Sequence, residues 1–412
     1  MNNMSTGCRV LFVTWDGPNS SYLRGLFLPI FSALRDRGFV FHVLQFTWAN
    51  SVERNELERH CAAAGVRYRS VNVWRRPVAV GALATAIWGR THVRRAIDDF
   101  GIELLMPRSI LPAAAALYVS RLPLMFDADG LPNEERREFR GGSSRPFSYQ
   151  VLRAIETLSV RRAQAITVRT RSAAKILSQR AGVPLERFHV VPNARDAARF
   201  RPVSSKTVER RRRELGVGGP IVVYAGSSLT GKYLGEAMLR FFRHVLALQP
   251  DARLLLLMPT LEEARALLSA NEDIASACIV RSVVPEDVPG WLAAADLGLC
   301  MIRPSYSMQA ASAIKLGEYL LCGLPVVATG GVGENESIIG KDVGVCLSDT
   351  GDKALAAASD WFVRNVLPNR RRFRDACREA GVTHFSLQIA VSSLGDALAA
   401  ARRRTEFGEE LS

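Results

Sequence analysis

The sequence predicts an α/β protein of two doubly wound domains in tandem, and three observations carry that reading. Short apolar, β-rich runs alternate with longer stretches of helical period along the whole chain. The series is interrupted once, by a charged stretch that ends in a glycine-rich turn near residue 218. At 412 residues the chain is long enough to bury two separate cores.

The first series opens with a strand over residues 9–15, a loop over 16–21 and an amphipathic segment that Gly38 is placed to stop. Further strands are predicted at 39–46, 66–71, 104–107, 124–126, 165–168 and 189–191. Residues 192–220, with the charged run 206–214 in their middle, read as a linker. The second series has strands at 221–224, 253–258, 278–282, 297–301 and 325–328, and helices at 234–248, 286–295 and 313–321. After His384-Phe385-Ser386 an amphipathic stretch runs to about residue 404.

Hydrophobic residues make up 48% of the chain and charged ones 23%, which excludes wholesale disorder. The longest apolar stretches, residues 78–89 and 110–120, carry Gly, Pro or many Ala and are too short to span a bilayer. The polar start leads directly into a strand-like run, so a cytoplasmic location is expected rather than export. Seven cysteines without a Cys-x-x-Cys pair and six histidines without a His-x-x-x-His pair predict a reduced protein with no metal site.

The net charge of +14 is unevenly spread: residues 1–200 hold 29 basic and 16 acidic side chains, and the remainder 25 and 24. An excess confined to the N-terminal half fits solvated helix faces, an anionic membrane surface or an anionic substrate. No zinc finger or RNA-reading aromatic pair accompanies it, so nucleic acid is not an expected partner.

Ligands of open α/β sheets bind outside the carboxyl ends of the strands, so two such halves facing across a cleft form a natural nucleotide site. The chain has neither Gly-x-Gly-x-x-Gly nor Gly-x-x-x-x-Gly-Lys-Ser/Thr, which removes the main signals for dinucleotide oxidoreductases and P-loop enzymes. Its densest cluster of special residues runs from Arg303-Pro304-Ser305 to Gly330-Gly331-Val332-Gly333. There a serine-rich loop with Ser312 opens a helix at Ile314, Lys315 and Leu316, offering free backbone N–H groups and a positive dipole end to a phosphate. Lys315 adds a cation, and Glu318, one turn along, can accept hydrogen bonds from a diol such as ribose.

These segments resemble the retaining glycosyltransferases of family 4. The resemblance rests on Val191-Pro192-Asn193 with Asp196 and Phe200, Tyr224-Ala225-Gly226-Ser227, and Ala293-Ala294-Ala295-Asp296-Leu297-Gly298. It continues through Lys315-Leu316-Gly317-Glu318-Tyr319-Leu320 and Gly323-Leu324-Pro325-Val326-Val327. Phe126-Asp127-Ala128-Asp129-Gly130 with Glu134-Glu135-Arg136 is similar to the Asp-x-Arg-Gly…Glu-Arg segment of a bacterial subset.

The resemblance implies the GT-B architecture. Residues 1–203 would form an acceptor-binding Rossmann-like domain, 204–384 a nucleotide-sugar-binding one, and 385–412 a helix crossing back to the first. It implies transfer of a sugar from a nucleotide diphosphate donor, as co-substrate and without metal or other cofactor, to a saccharide or lipid-linked acceptor. The setting would be cell-surface polysaccharide or glycolipid synthesis at the inner face of a membrane. Glu318 matches the second glutamate of the family's Glu-x7-Glu motif, while the first falls on Ala310. Gly226 and Ser227 stand in the first turn of the second domain, with Lys232 as the nearest cation and Lys315 as the second.

In the first domain Asp127 is a candidate for orienting the acceptor hydroxyl or for a capping role, and Asp129 replaces that segment's Arg. The loop Gly17-Pro18-Asn19-Ser20-Ser21 is either a contact for phosphate or acceptor or a plain turn. Two other readings stay open: a nucleotide-sugar epimerase, and a catalytically silent nucleotide-sugar binder, to which Ala310 lends weight.

Overall fold

A computed structural model of the chain describes residues 7–18, 22–73, 78–139 and 146–409. It divides into two compact units, residues Met1–Pro192 with Leu387–Ser412, and residues Asn193–Ser386. Residues 193–203, assigned from sequence to the first domain, thus fall in the second unit, and the last helix falls in the first.

The first unit contains strands β1 (Cys8–Trp15), β2 (Phe39–Thr47), β3 (Arg67–Asn72), β4 (Leu104–Pro107), β5 (Met125–Asp127), β6 (Ala165–Val168) and β7 (Phe188–Val190). They pair as β3-β2-β1-β4 and β5-β6-β7, every pair parallel. Parallel bridges Leu105↔Leu124 and Arg108↔Asp127 join the two sheets edge to edge. Phe12, Phe31, Phe41 and Phe46 are fully enclosed, and Phe31 stacks on Phe41 at 3.9 Å. Gly38 ends the first helical segment at φ +79°, a left-handed turn that a residue without a Cβ takes at no steric cost. Helix Leu387–Glu409 packs on β5, β6 and β7, and its Asp396 accepts a hydrogen bond from Arg37 at 2.8 Å.

The second unit contains β8 (Ile221–Ala225), β9 (Arg253–Leu257), β10 (Cys278–Arg281), β11 (Leu297–Cys300), β12 (Val326–Thr329) and β13 (Gly344–Leu347) in the spatial order 10-9-8-11-12-13, all parallel. That is the order of a doubly wound dinucleotide-type sheet. Its core is built around Tyr224, Phe241, Phe242 and Phe362.

The predicted linker is corrected by the structure. Residues Ser205–Leu215 form a helix, started by the Ser204 hydroxyl accepting the Thr207 N–H and ended by Gly216 at φ +66°. Arg212 on that helix reaches the Gly219 carbonyl at 2.9 Å and the Asp296 carboxylate at 2.5 Å. Asp296 also accepts from Ile221 N–H and Arg370, so the charged run is stitched into the second unit. Arg212 is thus the partner of a buried carboxylate, while Arg210 and Arg213 stay exposed. Strand β13 and helix Arg370–Phe385 went unpredicted; the first is only four residues long and the second has a largely polar face.

Candidate functional site

In the second unit, the carboxyl ends of β8, β11 and β12 lie side by side and carry the predicted donor residues. β8 runs out at Gly226, whose N–H donates to Leu257 O at 3.0 Å. Ser227 is exposed and Lys232 half-buried on the loop that follows. That loop is braced by Glu263, which accepts from the Ser228 hydroxyl and the Leu229 N–H, each at 2.9 Å. Glu263 lies 35 residues along the chain from Ser228, which is why no local pattern marks it.

Lys315 is the centre of this arrangement. It sits in the first turn of helix Ile314–Leu321, which has no side-chain cap at its N-terminus. Although Lys315 is only 7% exposed, its Nζ has no hydrogen-bond partner among the described residues. The ammonium instead lies over two aromatic faces, 3.9 Å from the Tyr224 ring centroid and 4.2 Å from that of Tyr233. It also lies close to the β8 turn: a Cβ at Gly226 would meet the Tyr224 hydroxyl and, at 2.8 Å, Lys315 Nζ. Burial pulls the Lys315 pKa down to about 7, with Lys232 adding to the effect and Cys300 and Glu318 opposing it.

The rest of the helix is fixed by deep contacts. The Tyr319 hydroxyl accepts the Ala225 N–H at 2.8 Å and donates to Leu299 O at 3.4 Å, tying the helix to β8 and β11. Glu318 does not stand alone: its Oε1 accepts from Arg195 Nε at 2.8 Å, both side chains being mostly buried. Arg195 is a site residue that the sequence reading passed over, because it lies 123 positions away beside the predicted Val-Pro-Asn segment. Asn193 of that segment donates from Nδ2 to Ser312 O at 2.8 Å, holding the loop that enters the helix. Ile314 and Leu316 supply backbone and packing at the tip, Leu316 being buried. Ala310 is buried at 1% exposure in the turn Ser307–Ala310, so no carboxylate stands at the first motif position. The Gly333 N–H donates to Met308 O at 2.8 Å, joining that turn to the glycine-rich one after β12.

In the first unit, the carboxyl ends of β4, β5 and β6 bring together Arg108, Asp127, Asp129 and Arg169. Asp127 has 0% exposure; it accepts from Thr167 Oγ1 at 2.9 Å and from Arg169 Nη2 at 2.8 and 2.7 Å. Enclosed in this way, Asp127 holds both arginines in place from the end of β5. Asp129 is the accessible member, with its side chain 29% exposed, and it pairs with Arg108 Nη2 at 2.6 Å. The Arg108 guanidinium stacks over Tyr22 at 4.7 Å and Phe27 at 5.0 Å. Burial works against its charge, but Asp129, Asp127 and Asp16 outweigh that and keep it firmly protonated.

Two non-glycine residues here have left-handed backbones, Ser109 at φ +66° and Asp129 at φ +54°. Such strain persists where surrounding contacts over-determine it, and it clusters at binding sites. Gly17 and Pro18 follow β1, and Gly17 is packed against the Trp48 ring, which leaves no space for a Cβ. Ser20 of the same predicted loop lies outside the described residues. Among the described residues no group of three or more His, Cys, Asp or Glu side chains could hold a metal ion. No helix among them is long and apolar enough to cross a membrane.

Comparison with known proteins agrees with this geometry. Residues 27–194 match the glycosyl transferase 4-like domain, and residues 219–365 match glycosyl transferases group 1. Among solved structures, HepE of Anabaena in complex with UDP is similar at a TM-score of 0.70 and 17% identity, covering 95% of this chain and 100% of that one. WaaG, a glycosyltransferase involved in lipopolysaccharide biosynthesis, is similar at 0.70 and 18% identity, covering 94% and 98%. A glycosyltransferase from Rickettsia africae is similar at 0.70 and 12% identity, covering 98% of each. The curated proteins give no match by sequence. Two parallel-sheet Rossmann-like domains of GT-B type, matched over both halves by transferase families, make the chain a member of the glycosyltransferases that pair a 4-like domain with a group 1 domain.

Proposed function

We propose that this protein is a retaining, metal-independent glycosyltransferase. It moves a sugar from a nucleotide diphosphate sugar to a saccharide or lipid-linked acceptor, in cell-surface polysaccharide or glycolipid synthesis on the inner, anionic face of a membrane. The observation that carries the donor half is the buried Lys315 ammonium, without a hydrogen-bond partner among the described residues, beside the Gly226 turn and a helix tip with no side-chain cap. An unpaired buried cation is costly unless a ligand supplies the anion. HepE, which shares the fold, has been crystallised with UDP and with UDP-glucose.

In the reaction, the bond from the anomeric carbon to the β-phosphate oxygen breaks as the acceptor oxygen approaches the same face. Negative charge grows on the leaving diphosphate, where Lys315, Lys232 and the helix N–H groups stabilise it. A phosphate oxygen takes the acceptor's proton, so the new glycosidic bond forms with retention and no protein carboxylate needs to be a nucleophile. Glu318, oriented by Arg195, receives the ribose hydroxyls. Asp129 and Arg108 face the acceptor, with Asp127 and Arg169 holding them.

The test is calorimetry with UDP-, GDP- and ADP-sugars, followed by transfer of labelled sugar to a membrane extract. Transfer with retained anomeric configuration supports the reading. Binding without any transfer favours a silent binder, in line with Ala310, and conversion of the free nucleotide sugar favours an epimerase.

A further inference from the structure

Helix Val78–Phe100 and the turn after helix Ile110–Ala116 expose a group of large apolar side chains on the first unit. Ile87 is 63% exposed, Trp88 59% and Tyr118 62%, among the highest values for large hydrophobic residues in the protein. The two segments pack together: Arg90, one turn from Ile87, donates to Tyr118 O, and Arg94 donates to Val119 O. Tyr118 has φ +57°, a conformation that a bulky residue adopts only under strain. His92 meets the Trp88 ring edge-on at 4.7 Å.

The charged side chains next to this patch along the chain are Arg90, Arg94, Arg95 and Arg121, and the first acids, Asp98 and Asp99, follow at the end of the helix. Arg90, Arg94, Arg95 and Arg121 are all exposed. Val52, at 71% the most exposed of the large hydrophobics among the described residues, instead sits on a helix of mixed charge, with Glu53, Glu56 and Glu58 beside Arg54 and Arg59.

We propose that Ile87, Trp88 and Tyr118 form a membrane-docking face that inserts shallowly among anionic lipid headgroups while Arg90, Arg94, Arg95 and Arg121 pair with the phosphates. Trp and Tyr are the side chains favoured at the headgroup level, and a basic rim supplies the attraction that a small apolar patch lacks by itself. A second copy of the chain fits poorly, because a two-fold interface on this face would set each arginine rim against its own image. This assignment rests on the membrane part of the proposed function and is independent of the donor chemistry.

The experiment is co-sedimentation of the full chain with vesicles of phosphatidylcholine alone or mixed with phosphatidylglycerol, with UDP-glucose calorimetry on the same preparations. The expected result is binding only to the mixed vesicles and loss of that binding at high salt. Ile87→Ser with Trp88→Ser should lower it about tenfold or more, as should Arg95→Glu with Arg121→Glu. Tyr118→Asn, which suits a positive φ, should weaken binding without lowering the melting temperature. Nucleotide-sugar affinity should be unchanged in all three. If wild type ignores anionic vesicles, the membrane reading and this face fall together, while the donor assignment stands or falls on the calorimetry. Salt-sensitive vesicle binding that survives in every variant overturns this face alone. A wild-type dimer that Ile87→Ser with Trp88→Ser converts to a monomer overturns it in favour of self-association.

Discussion

Lys315 and Gly226 are close neighbours: a Cβ on residue 226 would come within 2.8 Å of the lysine's Nζ, and closer still to the Tyr224 hydroxyl. The turn at the end of β8 and the tip of helix Ile314–Leu321 therefore share one small space into which a charge has been placed. Lys315→Met removes that charge while keeping length and apolar stem. Affinity for nucleotide diphosphates should fall roughly tenfold to a hundredfold, the worth of a charge-assisted hydrogen bond of about 1.5 to 3 kcal/mol. Stability at neutral pH should rise by roughly 2 kcal/mol, since an unpaired buried cation has been deleted. Calorimetry and thermal melts read the two effects, and unchanged affinity would remove the donor assignment.

Nucleotide-sugar binding should be linked to proton uptake through the same residue. Burial holds the Lys315 pKa near 7 in the empty protein, and an adjacent diphosphate favours the protonated form. Affinity should therefore be level below pH 7 and fall as pH rises above it. Near pH 8 close to one proton should enter with each ligand, measurable by calorimetry in buffers of different ionisation enthalpy. Without ligand the sign is opposite. The unfolded lysine, with its ordinary pKa of 10.5, holds its proton through the window from about 7 to 10.5, so this residue makes stability rise with pH there.

Arg195 and Glu318 should act as one unit on ribose. Glu318→Ala should weaken nucleotide binding by about 1.5 to 3 kcal/mol, the cost of a charged hydrogen bond. Arg195→Met should lose part of the same energy, because it frees the carboxylate from its 2.8 Å partner. The double variant should lose less than the sum of the two. Strict additivity in calorimetric affinities would mean that Arg195 serves folding alone.

Asp127 and Asp129 should separate cleanly. Asp127→Ala leaves Arg169 and Arg108 without their buried counter-charge and should cost about 3 to 5 kcal/mol in chemical denaturation. Asp129→Asn should cost little stability, since its side chain is partly exposed and asparagine tolerates its positive φ. It should raise KM for the acceptor several-fold and leave donor affinity alone. An unchanged acceptor KM would move the acceptor away from this cluster.

Glu156 offers a pH test of the first unit's interior. It is 2% exposed, and burial, helped by Glu134, pushes its pKa up to about 7, against the pull of the Arg180 they share. The unfolded carboxyl ionises at its ordinary 4.5, so between about 4.5 and 7 the folded state binds more protons and stability falls as pH rises. Glu156→Gln should flatten that decline and gain about 1 to 3 kcal/mol at pH 8 relative to pH 5. Urea melts at the two pH values check it.

The strands and the helix that carries Lys315 and Glu318 were legible because they are written locally. Alternating short apolar runs can only be buried as a parallel sheet covered by helices, and Lys315, Gly317 and Glu318 fall within four residues of one another. The charged run at residues 206–214 misled because solvated linkers and arginine-rich helices share a composition. What made it a helix of the second unit was Asp296, which accepts from Arg212, Arg370 and Ile221 N–H.

By itself the sequence determined two α/β units, the helix that carries Lys315 and Glu318 and the place of the basic excess, since period and composition act through neighbours a few positions apart. The tertiary structure alone decided which charges are satisfied. It paired Glu318 with Arg195, enclosed Asp127 between Arg108 and Arg169, and left the Lys315 ammonium over two tyrosine rings. Those partners lie tens to more than a hundred residues apart, and the free energy of a charge depends on burial and on what folding brings beside it, which no local pattern records.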